Sequence, residues 1–110
     1  MPELAKPMMP HLPEKVKVAG VVYDIIWDNN LSHSSSYGRC NSEALLISLD
    51  PAAKLARRGE TLLHEVLEAI KSEYKLNLKH EQIDLLGTAI YQVFQDNPTV
   101  VAWITSPSSS

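Results

Sequence analysis

The sequence lacks most of the features that would place it in a specialised class of proteins. Cys40 is the only cysteine among 110 residues, which excludes an internal disulfide and is typical of a reducing, cytosolic location. No apolar run approaches the roughly 20 residues that a membrane-spanning helix needs. Residues 1–13 contain four prolines and no apolar stretch, so no signal peptide is expected. The net charge is -3 and no Lys/Arg cluster occurs, so no nucleic-acid interface is expected.

Two common catalytic motifs are also missing. No glycine-rich phosphate loop occurs, and the serines at 34–36 do not form the Gly-x-Ser-x-Gly turn of hydrolases. What is present is an ordinary composition, with 45% apolar and 21% charged residues. This composition and the length indicate one soluble globular domain.

Two segments predict β-strands. Residues 15–27 are dense in Val, Ile, Tyr and Trp, and Gly20 interrupts them. We therefore expect either a tight hairpin around Ala19-Gly20 or one bulged strand. Residues 44–49 (ALLISL) are short, apolar and bounded by polar residues, which predicts a buried strand.

Two long helices are predicted after the strands. Asp50-Pro51 is a strong helix start, because Asp suits the N-cap and Pro suits the first helical position. This helix can continue to about Tyr74, and a second can run from about Lys79 to Gln95, before Asn97-Pro98. The inward residues of the second helix are expected to be Ile83, Leu86, Ile90, Val93 and Phe94.

Strands followed by two long helices predict an α+β fold, in which a small, mostly antiparallel sheet packs against the helix pair. Residues 100–104 are a short apolar piece that is either a strand or a helical turn. We expect a single domain at residues 15–105. A flexible, proline-rich arm at 1–14 precedes it, and a disordered tail at 106–110 follows it.

The segment Thr61–Ile70 (TLLHEVLEAI) is the part of the chain that most strongly indicates a metal-binding or catalytic site. On a helix, His64 and Glu68 lie one turn apart on the same face, so an imidazole and a carboxylate can bind one metal ion there. The zinc-protease motif is His-Glu-x-x-His, and Glu68 occupies the position of its second histidine. One helix face offers only two positions at this spacing, so a third ligand has to come from another element.

His80 is the first candidate for that third ligand. It opens the second helix, and the short connection from Tyr74 to Lys79 can bring that helix back beside the first. Glu81 and Asp84 lie within a turn of His80 and are the alternatives. His64, Glu68 and His80 together have the composition of His₂Glu catalytic zinc sites.

Glu65 is the candidate general base. Water bound to a zinc ion in such a site titrates near pH 7, and Glu65 could accept its proton. The competing hypothesis is that no metal binds and that the helix presents a solvated polar face. That face would consist of Thr61, His64, Glu65, Glu68, Lys71, Ser72 and Lys75.

The run TLLHEVLEAI, followed further along by HEQIDLLGTAIYQVFQDNP, resembles a group of short phage- or prophage-encoded proteins. These are similar to minimal His-Glu-x-x-His metallopeptidases, related in style to the ImmA/IrrE and SprT-like families. Ile47-Ser48-Leu49, Gly38-Arg39-Cys40 and Asn97-Pro98 also fit the pattern, and the likeness covers roughly residues 15–104.

This resemblance implies a minimal zincin-like fold and a role for each residue that matches the motif. His64 corresponds to the first zinc ligand and Glu65 to the general base. Glu68 stands where the family usually has histidine, which is a departure from the pattern. His80 lies in the region that supplies the third ligand.

Other residues could assist at such a site. His33 and Tyr37 belong to a serine-rich polar loop that could lie over it, where either could stabilise an oxyanion. The alternative is a mobile loop without a chemical role. Cys40 is expected to be a small buried residue rather than a nucleophile. Trp27 and Trp103 are expected to be core or edge anchors.

The sequence gives rise to one main functional hypothesis and one alternative. The chain is expected to be a small zinc-dependent metallopeptidase of phage or bacterial origin, with one zinc ion, in the cytoplasm of a bacterial host cell. The alternative is a catalytically inactive, metallopeptidase-like module that binds a host or phage protein, which the departure at Glu68 favours. In both cases the partner is a protein or peptide, with neither nucleic acid nor a membrane involved.

Overall fold

The computed structural model of this protein describes residues 11–31, 37–53 and 55–107. Among these residues, four strands precede three helices: β1 (Lys15–Val18), β2 (Val21–Trp27), β3 (Gly38–Asn41), β4 (Leu46–Leu49), α1 (Leu55–Tyr74), α2 (His80–Asp96) and α3 (Pro98–Thr105). The predicted α+β class is confirmed. Most of the predicted arm, residues 1–10, and the end of the predicted tail, residues 108–110, lie outside the described residues.

β1 and β2 form a hairpin, which is the first of the two arrangements that residues 15–27 predicted. Ala19 and Gly20 make its turn, with φ values of 53° and 82°. Positive φ at both central residues is the geometry of a type I′ turn, whose twist matches that of two antiparallel strands. The pairing starts at Val18 opposite Val21, directly beside this turn.

The sheet has the strand order β1-β2-β4-β3. β1 pairs with β2 and β3 pairs with β4 in antiparallel fashion, whereas β2 and β4 run parallel. The sheet is therefore mostly antiparallel, as predicted. β3 forms one edge of the sheet, and β3 packs against α1.

β4 is shorter than the predicted strand at 44–49. Leu45 has a positive φ of 56°, which a strand does not allow. The Asn41 side-chain oxygen also accepts hydrogen bonds from the backbone N–H groups of Glu43 and Ala44, each at 3.1 Å. These bonds hold the connection between β3 and β4 in a turn, so the strand begins at Leu46.

α1 covers one face of the sheet, and the core lies between them. The alternation along β2 shows this, because Tyr23 and Ile25 are buried whereas Val22 and Ile26 are exposed on the opposite face. The core consists of Val18, Tyr23, Ile25, Ile47, Leu49 and Ala69. The half-buried residues of α1 that pack against it are Leu62, Val66 and Ile70.

α1 begins about one turn later than predicted. Asp50 does start a turn, since its carbonyl accepts the Ala53 N–H at 3.1 Å. However, the Arg58 guanidinium donates hydrogen bonds to the carbonyls of Pro51 at 2.9 Å and Ala53 at 3.3 Å. A side chain thus occupies carbonyls that a helix would pair with its own N–H groups, and the helix begins at Leu55.

α2 has the predicted extent to within one residue, but its predicted inward face is partly wrong. Ile83 is fully buried and Ile90 is half-buried, whereas Leu86, Val93 and Phe94 are exposed. The reason is that α2 packs mainly on α1 rather than on the sheet, so only a narrow stripe of the helix is covered.

Residues 100–104 are helical and belong to α3. This helix buries none of its residues, and Trp103 is 80% exposed, so Trp103 is not a core anchor. Trp27 is at the end of β2, and the Arg58 guanidinium lies over its partly exposed ring at 4.9 Å. Within the described part of the chain, no helix is both long enough and apolar enough to span a membrane.

Candidate metal centre

α1 and α2 bring together the three predicted metal ligands. His64 and Glu68 lie one turn apart on α1, and His80 is the first residue of α2. Glu68 Oε2 is 3.5 Å from His64 Nε2 and 3.3 Å from His80 Nδ1. One donor atom from each of the three residues lies within 4.8 Å of the other two. The group could therefore hold a metal ion.

The spacing of these donor atoms suits a small cation. Zinc binds histidine nitrogen and carboxylate oxygen at about 2.0–2.2 Å, so neighbouring donors in a tetrahedral site are about 3.3–3.6 Å apart. The two distances from Glu68, 3.3 and 3.5 Å, lie in this range. Two imidazoles and one carboxylate are also a donor set that zinc and several other first-row ions accept.

The connection between the two helices places His80 beside α1. Lys75 follows α1 in the left-handed conformation, with φ of 54°, and Leu76 N–H donates to the Lys71 carbonyl at 3.0 Å. This is a helix C-terminal motif that ends α1 and turns the chain sharply. Lys79 is extended and acts as the N-cap of α2, so His80 stands at the start of the helix.

Asp84 completes a cluster in which imidazoles and carboxylates alternate. Its Oδ1 is 3.2 Å from His64 Nδ1, and its Oδ2 is 3.4 Å from His80 Nε2. The two imidazole rings meet edge to face, with centroids 5.5 Å apart. We refer to His64, Glu68, His80 and Asp84 as the alternating cluster. The sequence suggested Asp84 only as an alternative third ligand, although its four-residue spacing from His80 already places both on one helix face.

Glu65 is buried within α1 next to this cluster and is only 6% exposed. Burial, together with the negative charges of Glu68 and Asp84, raises the pKa of Glu65 from 4.5 to about 7. The hypothesis of a fully solvated polar face is therefore wrong for Glu65. The side chains of His64 and Glu68 are also mostly covered, at 19% and 24% exposure.

Gly38 allows β3 to approach Glu65 closely. A Cβ atom at this position would lie 2.8 Å from Thr61 Cγ2 and 2.9 Å from Glu65 Oε2. These distances are too short for a real contact, so a larger residue would displace one of the two side chains. β3 thus helps to keep Glu65 away from water. Sequence spacing does not reveal this contact, because Gly38 and Glu65 are far apart in the chain.

A cleft of about 600 Å³ contains the alternating cluster and Glu65. Tyr37 lines it and is 56% exposed, whereas His33 lies outside the described residues. Glu81 is exposed in the first turn of α2 and is not among the residues that line the cleft. Cys40 also lines the cleft and is half-buried; burial and the charge of Glu65 raise the pKa of its thiol to about 11. The thiol is therefore protonated at neutral pH, as expected for a residue that is not a nucleophile.

No protein-family model, curated protein or solved structure matches this chain. The resemblance to ImmA/IrrE and SprT-like metallopeptidases thus stays a prediction.

Proposed function

We propose that this protein is a small zinc-dependent metallopeptidase of phage or bacterial origin that acts in the bacterial cytoplasm. The observation that carries the proposal is the convergence of His64, Glu68 and His80 beside the buried carboxyl group of Glu65. A zinc ion held by these three residues would supply a water molecule of lowered pKa and a Lewis acid for a carbonyl oxygen.

Glu65 is suited to proton transfer at such a site. A general acid or base works best when its pKa lies near the working pH, and burial brings the pKa of Glu65 to about 7. The side chain can therefore accept a proton from an attacking water molecule and return it to the leaving amine. The positive charge of a bound ion would favour the carboxylate form, which is the form that accepts the proton.

The substrate would be an extended segment of a protein or a peptide. Gly38 and Cys40 of β3 line the cleft, and β3 pairs on one side only, with β4, among the described strands. An extended chain can add to such an edge through main-chain hydrogen bonds, largely independently of its side chains. This arrangement would bring a peptide bond alongside Glu65 and the metal ligands.

The first test is the zinc content of the purified protein, measured by elemental mass spectrometry without added metal. We expect close to one zinc ion per chain, and loss of that ion in a His64→Ala variant. His11→Ala is the matched control, because His11 is an exposed histidine outside the cleft around the metal ligands. A protein that carries no metal would refute the proposal.

The second test separates metal binding from catalysis. A Glu65→Gln variant should bind zinc like the natural protein but should not hydrolyse a peptide library that the natural protein cleaves. Cleavage should also stop when a chelator is added and resume when zinc is restored. An active Glu65→Gln protein would contradict the role of Glu65 as general base.

A catalytically inactive binding module for a host or phage protein is the second candidate. Glu68 favours this second candidate, because the His-Glu-x-x-His motif has histidine at that position. α3 also favours it, because Trp103 and Ile104 are 80% and 64% exposed, and exposed apolar patches are typical of protein interfaces. A Glu68→His variant distinguishes the candidates: peptidase activity that appears only in this variant would mean that the natural protein acts by binding.

A further inference from the structure

Asp84 faces the side of each imidazole that Glu68 does not. Glu68 Oε2 lies near His64 Nε2 and His80 Nδ1, at 3.5 and 3.3 Å. Asp84 lies near the other nitrogens, with Oδ1 3.2 Å from His64 Nδ1 and Oδ2 3.4 Å from His80 Nε2. Each carboxylate therefore contacts both rings, and each ring contacts both carboxylates.

The chemistry of imidazole determines which nitrogen of each ring can bind the metal and which carries the proton. A neutral imidazole has one nitrogen with a lone pair and one with a proton, and only the nitrogen with the lone pair can bind a metal ion. If His64 binds through Nε2, its proton is on Nδ1. If His80 binds through Nδ1, its proton is on Nε2. The two histidines thus need opposite tautomers, and both protonated nitrogens face Asp84.

We propose that Asp84 is a positioning residue that fixes the tautomer and orientation of both histidine ligands without binding the metal itself. This inference rests on the proposed zinc site. An ionised carboxylate accepts hydrogen bonds at both oxygens, so Asp84 can accept one N–H from each ring. Among the described residues, the group of donors that converge within 4.8 Å contains His64, Glu68 and His80 and does not include Asp84.

An Asp84→Asn variant removes one of the two acceptors while keeping the shape of the side chain. The amide can accept from one imidazole only and presents an N–H group to the other, which disfavours the tautomer that the metal requires. Loss of such a hydrogen bond to a metal-bound histidine typically weakens metal affinity by roughly 10–100-fold. The matched control is Glu81→Gln, which removes the same charge from an exposed residue of the same helix.

The measurement is the zinc dissociation constant of the natural protein and both variants, by competition with a chromophoric chelator. We expect roughly 10–100-fold weaker binding for Asp84→Asn and little change for Glu81→Gln. The metal-free Asp84→Asn protein should still unfold in one cooperative transition in urea, because the Asp84 side chain is 55% exposed and is not part of the core. Visible spectra of the cobalt-substituted proteins should show the same donor set with and without Asp84.

Three results would overturn the inference. Equal affinities for Asp84→Asn and Glu81→Gln would mean that Asp84 contributes only its charge. A cobalt spectrum that shows the loss of an oxygen donor in Asp84→Asn would make Asp84 a ligand instead of a positioning residue. Absence of zinc binding by the natural protein would refute the proposed function as well, whereas the first two results leave that function intact.

Discussion

Replacing Glu65 with Gln should change how the stability of the metal-free protein depends on pH. In the unfolded chain Glu65 has its ordinary pKa of 4.5, whereas burial and the charges of Glu68 and Asp84 raise it to about 7 in the folded protein. Between these two values the folded state holds a proton that the unfolded state has released. Unfolding therefore releases a proton, so the free energy of unfolding falls as the pH rises through this range.

The size of this effect follows from the pKa difference. One pKa unit corresponds to about 1.4 kcal/mol, so the change from 4.5 to about 7 costs about 3 kcal/mol of unfolding free energy. The cost is complete above pH 7, grows between pH 4.5 and 7, and is absent below pH 4.5. Small domains are stable by only about 5–15 kcal/mol, so this is a large fraction of the total.

The assay is urea denaturation of the metal-free natural protein and of Glu65→Gln, at a series of pH values from about 4 to about 8. Glutamine has nearly the same shape and no charge, so the variant should not show this pH dependence. Its unfolding free energy should match that of the natural protein at the acidic end and exceed it by about 3 kcal/mol at the alkaline end. Glu43→Gln, at an exposed glutamate in the turn after β3, is the control and should show no such divergence.

A difference between the natural protein and Glu65→Gln that stays constant over the whole pH range would refute this reasoning. It would mean that Glu65 ionises in the folded protein as it does in the unfolded chain. The carboxyl group would then be solvated, and the idea that β3 and the neighbouring acids tune it for proton transfer would lose its basis.

Three further substitutions test the packing around the site. Gly38→Ala should lower the unfolding free energy by about 1–3 kcal/mol in urea denaturation, because its methyl group would overlap Thr61, 2.8 Å away; unchanged stability would mean that β3 is not tightly packed there. Tyr23→Phe should cost about 1.5–3 kcal/mol by the same assay, because the buried hydroxyl donates to the Glu73 carboxylate at 2.5 Å. A neutral result would argue against that bond. Trp103→Ala should change the unfolding free energy by less than about 0.5 kcal/mol, since the side chain is 80% exposed; a larger loss would show that something covers it.

Local sequence patterns predicted the secondary structure well where the cause is itself local. The hairpin at Ala19-Gly20, which was one of two arrangements that the sequence allowed, and the extent of α2 depend on residues that are neighbours in the chain. The start of α1 was predicted one turn too early, because the interfering contact comes from Arg58, beyond the segment that carries the helix-start signal. The exposed residues of α2, such as Leu86 and Val93, were assigned to the core because hydrophobic spacing identifies a helix face without showing whether another element covers it.

The candidate site likewise depends partly on local sequence spacing and partly on tertiary contacts. The common face of His64 and Glu68 follows from their four-residue spacing on a helix, whatever surrounds them. His80 reaches Glu68 because the chain turns at Lys75. Lys75 adopts a left-handed conformation there, which Lys does not favour. The sequence indicated that a third ligand had to come from another element, but spacing could not choose between His80 and its acidic neighbours.

The sequence by itself determined the α+β class and the pairing of one imidazole with one carboxylate on α1, because both depend on contacts between near neighbours. It did not identify β3, whose residues Gly38–Asn41 lie in a segment without a strand pattern. Only the tertiary structure decided that Glu65 is the buried acid and that Asp84 faces both histidines. The physical reason is that burial and pKa are set by groups that approach from other elements. Here these are β3, which comes close because Gly38 has no side chain, and α2, which brings His80 and Asp84 to the same face of α1.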